Sequence, residues 1–220
     1  MLFTLSLKNP DAGPRPVEVA GADSRVVQWR FVPETDRVLF VGFDGAVWLT
    51  DPAGEDAATF GTAVALDDVA GTTAIIDRAD GVVALDLTDG SERPLVASDA
   101  GLGQLRTVVS IPGGGTVRLY AVLGENGIPG ESVVAAVGDD GSTQVLSEAA
   151  RSDAVIRTCV SPNGRYAAVV IAPDIIDNPY DTYLLPFPTR TETHIVEISS
   201  GDEIVPLSGF NISWCRVPAP

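Results

Sequence analysis

A chain of 220 residues, 45% of them apolar, can bury a real core without covalent staples, and one domain is the default expectation at this length. The net charge of −16 and pI near 4.2 exclude phosphate-backbone binding, which needs cations in place to release counterions. The same acidity opposes anionic lipid surfaces, and no run approaches the roughly 18 consecutive apolar residues that span a bilayer.

Taken in chain order, the residues read as short alternating or β-branched runs separated by turn residues, and no window holds a helical apolar period. Leu2 to Lys8 alternates as a strand does and offers neither the charged n-region nor the apolar h-region of a signal peptide. Arg15 to Val19 reads as a second strand. Asp44-Gly45, Asp80-Gly81, Asp89-Gly90, Asp140-Gly141 and Ser200-Gly201 then place residues tolerant of positive φ between further strands.

An internal repeat orders these strands. The first unit is predicted over residues 26–31, 37–43, 46–50 and 57–61. The second covers 65–68, 72–78, 82–87 and 93–97, the third 105–110, 116–123, 132–137 and 143–147, and the fourth 155–160, 165–172, 193–199 and 203–207. Four strands per unit of about forty residues is the period of a β-propeller. Phe210 to Cys215 reads as the first strand of a fifth unit, and the two N-terminal strands as its outer pair. The predicted fold is therefore an all-β, five-bladed propeller with the last blade built from both termini, which removes the open edges of an unclosed ring. Its second strand is missing, or is supplied by residues upstream of Met1.

Cys159-Val160-Ser161-Pro162-Asn163-Gly164-Arg165-Tyr166 resembles the S-P-D-G-K/R signature of TolB-type and WD-repeat-like bacterial propellers, which closes the turn between first and second strands. Leu2-Phe3-Thr4-Leu5 with Asn9-Pro10-Asp11-Ala12-Gly13 looks like that family's third strand and turn. Val32-Pro33-Glu34-Thr35-Asp36-Arg37 and Ile111-Pro112-Gly113-Gly114 are weaker echoes, and the second unit has lost the motif at Val69-Ala70-Gly71-Thr72. The resemblance implies a scaffold used for many functions, so it carries a fold and no activity.

Catalytic constellations are sparse. His194 is the only histidine, it falls in a predicted third strand, and no G-x-S-x-G elbow accompanies it. Zinc would need more Cys or His than the chain holds. Asp67 and Asp68 are the carboxylates found on a first strand, but adjacent strand residues point to opposite sides, unlike a glycosidase pair. Gly138-Asp139-Asp140-Gly141-Ser142 lacks the spaced ligands of a calcium loop, and Asn211-Ile212-Ser213 is a glycosylation sequon placed in a predicted first strand. No cofactor is expected.

Three features remain as candidate sites. Arg30, Arg106 and Arg157, with Gln28 and Arg216, lie on or beside first strands, where convergent arginines would favour an anionic ligand unless they simply pair with the excess Asp and Glu. Cys159 and Cys215 hold equivalent places before a proline, and a disulfide between them would stabilise the fold by roughly 4 kcal/mol if the Cα atoms approach within about 7 Å. Residues 173–191 interrupt the fourth unit between its second and third strands, with a smaller insertion at 124–131 in the third unit. Tyr180, Tyr183, Leu184, Leu185 and Phe187 would make that long insertion a protein- or peptide-binding ridge, or would fold down as core of their own blade. The reading is a non-catalytic binding or scaffolding module, the extracytoplasmic portion of a bacterial protein, with a cytoplasmic location as the alternative. The competing reading is a five-bladed glycoside hydrolase or lyase.

Overall fold

The computed structural model describes residues 2–5, 9–123, 129–174 and 190–209. By packing, the chain divides into two compact units, Met1–Leu95 and Val96–Pro220. Apart from one 3-10 turn at Pro10–Ala12, the described elements are all strands.

The first unit holds a two-stranded ribbon, β1 (Phe3–Thr4) with β2 (Arg15–Pro16), and two four-stranded antiparallel sheets. One sheet runs β3 (Val26–Phe31), β4 (Val38–Gly42), β5 (Ala46–Thr50), β6 (Ala58–Thr62). The next runs β7 (Ala65–Ala70), β8 (Thr73–Arg78), β9 (Gly81–Asp86), β10 (Glu92–Pro94). The second unit repeats the pattern with β11 (Gln104–Ser110), β12 (Thr116–Leu123), β13 (Pro129–Val137) and β14 (Thr143–Ala149), then β15 (Ala154–Val160), β16 (Tyr166–Ala172), β17 (Glu192–Glu197) and β18 (Glu203–Ser208). In each sheet the strands pair in chain order. This meander follows from hairpin turns too short to allow any other neighbour.

Second strands are the most deeply covered: every residue of β4 is buried, as is all of β16 except Tyr166. Their continuous apolar runs, Val38-Leu39-Phe40-Val41 and Ala167-Ala168-Val169-Val170-Ile171, suit strands covered on both faces. In the first unit Leu39, Val41, Val47 and Leu49 pack against Leu66, Ala74, Ile76 and Leu85. In the second, Val117, Val134 and Ala136 pack against Ala167, Val169, Ile171 and Val196. Each fully buried aliphatic side chain contributes about 1.5–3 kcal/mol.

The Ser-Pro-Asn-Gly turn shows why its residues are used. Ser161 N–H donates to the Tyr166 carbonyl and Gly164 N–H to the Ser161 carbonyl, while Tyr166 N–H donates to Ser161 Oγ and Arg165 N–H to Asn163 Oδ1. Gly164 sits at φ +69, and a Cβ there would lie 2.6 Å from the Pro112 carbonyl oxygen, so only glycine fits. The echoes at 32–37 and 111–115 close the same way, Val32 N–H donating to Arg37 O and Ile111 N–H to Gly115 O. The second sheet, without the motif, turns at Gly71-Thr72 between β7 and β8.

One feature recurs that composition does not announce. Each first strand carries a single-residue bulge at the same repeat position, between Val26 and Gln28, Leu66 and Asp68, Leu105 and Thr107, and Val155 and Arg157. The bulged residues are Val27, Asp67, Arg106 and Ile156. Strict alternation therefore fails across Asp67 and Asp68, and the expectation that they point to opposite sides does not follow from strand geometry. Strand bounds also differ from expectation at the periphery. The predicted 93–97 strand is Glu92–Pro94, the predicted 15–19 strand is Arg15–Pro16, and its described partner is Phe3–Thr4, residues 6–8 of the predicted first strand lying outside the described residues. Phe210 to Cys215 lies outside the described residues.

Candidate functional site

The first strands hold the arginines, but not at equivalent positions. Arg106 is itself a bulge residue, Arg157 follows a bulge, and Arg30 is three residues past one. All three are exposed. Arg30 donates to the Trp29 carbonyl at 2.9 Å and to the Asp67 carbonyl at 3.3 Å, and Gln28 Oε1 accepts from Leu66 N–H at 2.6 Å. These two side chains of β3 thus occupy backbone groups on the edge of β7. Arg216 lies outside the described residues.

The residues alternating with them were missed by sequence reasoning. Val27, Trp29 and Phe31 form an exposed apolar stripe on β3, with the Trp29 and Phe31 rings in an edge-to-face contact at 5.3 Å. The signal was present in Val26-Val27-Gln28-Trp29-Arg30-Phe31, since a strand whose polar side chains serve one neighbour turns its aromatics the other way. Arg118 was missed as well. It is buried on β12, with Nε donating to Thr116 Oγ1 at 2.7 Å.

Topology places the insertions. In an antiparallel meander, the connection from second to third strand leaves the sheet at the end where the first strand begins. The β4–β5 and β8–β9 connections there are tight, whereas β16 and β17 are separated by residues 173–191. Both feet of that insertion are fastened. Asp174, at φ +54, donates its N–H to Asp153 Oδ1 at 2.9 Å, and Gly209 N–H donates to the Thr191 carbonyl at 2.7 Å while its own carbonyl accepts from Thr193 Oγ1 at 2.6 Å. Exposed Ile156 and Arg106 belong to the same end of their sheets. Tyr180, Tyr183, Leu184, Leu185 and Phe187 lie outside the described residues.

The remaining polar groups are engaged locally. His194 Nδ1 lies 2.9 Å from Glu203 Oε1 and Nε2 lies 3.6 Å from Glu192 Oε2, a histidine bracketed by carboxylates on β17 and β18. Asp140 accepts from Ser142 N–H and Oγ, and the hydroxyl bond foremost holds its carboxyl below the ordinary range; Asp89 is held in the same sense by Ser91. Among the described residues no three His, Cys, Asp or Glu side chains are grouped to hold a metal ion, and no helix is long and apolar enough to cross a membrane.

A cavity of about 200 Å³ opens beside the N-terminal ribbon, lined by Leu2, Val17, Val19, Val26 and Phe40 with Glu18 and Asp23. Asp23 is committed to Arg25, whose guanidinium lies 2.8 Å away and holds the carboxyl down at about 2. A general acid needs the opposite shift. Cys159 is buried on β15 and disulfide-bonded, and Cys215 lies outside the described residues.

No protein-family model matches the sequence, and no curated protein matches it. Solved structures do resemble the fold. The tricorn protease aligns with a TM-score of 0.55 at 13% identity over 86% of this chain, Porphyromonas gingivalis dipeptidyl peptidase 4 with 0.54 at 10% over 94%, and a luciferin-regenerating enzyme with 0.52 at 12% over 87%. The chain spans only 17%, 35% and 62% of those three chains. The four-stranded meanders are the blades of a β-propeller fold, and four of them are present among the described residues. At these identities the likeness extends to fold alone.

Proposed function

We propose that the chain is a binding or scaffolding module, a single five-bladed propeller domain completed by both termini, from the extracytoplasmic part of a bacterial protein of TolB-like type. The observation that carries the binding reading is the β16–β17 insertion, whose feet Asp174 and Thr191 are fastened to Asp153 and Gly209, leaving the same sheet end as the bulged first strand. Tyr180, Tyr183, Leu184, Leu185 and Phe187 are its contact residues, and the partner is a protein or peptide, because aromatic side chains on anchored loops dominate interface energies. An anion site at Arg30, Arg106 and Arg157 is a weaker proposal, because Arg30 is already engaged with backbone carbonyls.

A peptide selected from a random library on the wild-type protein is the probe. Tyr180→Ala combined with Tyr183→Ala should weaken its binding about tenfold or more with little change in melting temperature. A large fall in melting temperature with unchanged peptide affinity would show the rings to be core, and the contact surface would be abandoned.

A further inference from the structure

We propose that the cavity beside the N-terminal ribbon is a binding site for a small organic cation, an apolar body of about six to eight non-hydrogen atoms carrying one ammonium group. Its volume of about 200 Å³ sets the size, since an apolar protein cavity of about 150 Å³ holds a benzene ring. Its apolar walls set the body of the ligand: Val17 and Val19 come from the N-terminal segment, Val26 and the buried Phe40 from β3 and β4. Glu18 and Asp23 set the charge. Arg25 already neutralises Asp23, donating to it through Nε, Nη2 and its backbone N–H, whereas the Glu18 carboxylate has no partner among the described residues. An anion would be repelled by that lining, and a neutral molecule of the same shape would leave Glu18 without a counter-charge. The net charge of −16 draws cations to the whole surface, so it is the walls that select this one.

The wall that carries Glu18 is seated by its backbone. Gly54, at φ +84 in the turn after β5, runs so close to it that a Cβ there would overlap the Glu18 carbonyl oxygen. Val17 N–H donates to the Leu2 carbonyl at 3.0 Å, Ala22 N–H to the Val19 carbonyl at 3.1 Å, and Thr4 Oγ1 to the Pro52 carbonyl at 3.3 Å. These contacts hold residues 17–19 in place before a ligand arrives, so little conformational freedom is lost on binding. The cavity lies within the unit Met1–Leu95, whereas the β16–β17 insertion belongs to Val96–Pro220. It is therefore a second site, and neither proposal depends on the other.

Titration of the full chain with benzylamine, benzyl alcohol and benzoate, followed through backbone amide shifts, tests the site. The three probes share a ring and differ in the charge it carries. Benzylamine should saturate in the millimolar range, as suits so few atoms, with the largest shifts confined to residues 17–26 and Phe40. Benzyl alcohol should bind at least about threefold more weakly, and benzoate should not saturate in that range. Glu18→Gln should lose at least about threefold in benzylamine affinity while benzyl alcohol binds as before. Glu18 is exposed, so this variant keeps the fold. Shifts spread over the acidic surface would mean a general attraction of cations. That result, the absence of saturation by benzylamine, equal affinity for amine and alcohol, or a Glu18→Gln variant as tight as wild type would each overturn the proposal.

Discussion

Asp23 shows how a single exposed pair leaves a readable pH signature. Arg25 donates to it through both its side chain and its backbone N–H, and the carboxyl is held at about 2 against an ordinary 3.8. A depressed folded-state value means stability that is present above 3.8 and lost as pH falls through about 2. Asp23→Asn should therefore melt below wild type at neutral pH, and the gap should close between pH 4 and pH 2. A gap that persisted at pH 2 would show that the pair acts through something other than charge. Glycine gives a second test at this scale. Gly164→Ala and Gly71→Ala both place a side chain at positive φ, but Gly71 has open space while Gly164 meets the Pro112 carbonyl oxygen at 2.6 Å. Denaturant midpoints should show about 1 kcal/mol lost at Gly71 and at least about 1–2 kcal/mol more at Gly164. Equal losses would mean that the Pro112 backbone yields freely.

At the scale of elements, neighbouring sheets are joined by more than apolar packing. Gln28 of β3 satisfies the backbone N–H of Leu66, a fully buried residue of β7, and Arg78 of β8 reaches back to the Phe60 carbonyl of β6 while pairing with Glu92 of β10. Removing one partner of a buried hydrogen bond costs more than the bond itself contributes, because the group left behind stays dehydrated. Gln28→Ala should accordingly lower unfolding free energy by about 1–3 kcal/mol, whereas Val27→Ala, one residue away and exposed, should stay within about 0.5 kcal/mol. Urea denaturation of the two variants decides this, and similar values for both would remove Gln28 from the junction. The bulge preceding Gln28 is what turns it toward β7.

Across the whole molecule, acidic residues recur in the hairpin turns. Asp44, Asp89 and Asp140 each accept the N–H of the residue two positions on, so these carboxylates are part of turn closure rather than spare ligands for a metal. What distinguishes the fourth repeat from the first two is length between its second and third strands, and the binding reading rests on that difference.

Strand existence, strand order and turn chemistry were legible in the sequence because they are local: alternation, β-branched runs and Asp-Gly pairs act within a few residues. Residues 46–50 and 116–123 were bounded correctly for that reason. Four things needed the tertiary structure. The repeated bulge has no composition of its own, occurring at Val27, Asp67, Arg106 and Ile156 alike, since it arises from pairing with a second strand. The engagement of Arg30 by the Asp67 carbonyl, the cover over both faces of β4, and the shortening of β2 all depend on which surfaces meet. Those are long-range contacts, and a one-residue change of register reverses the face a side chain serves.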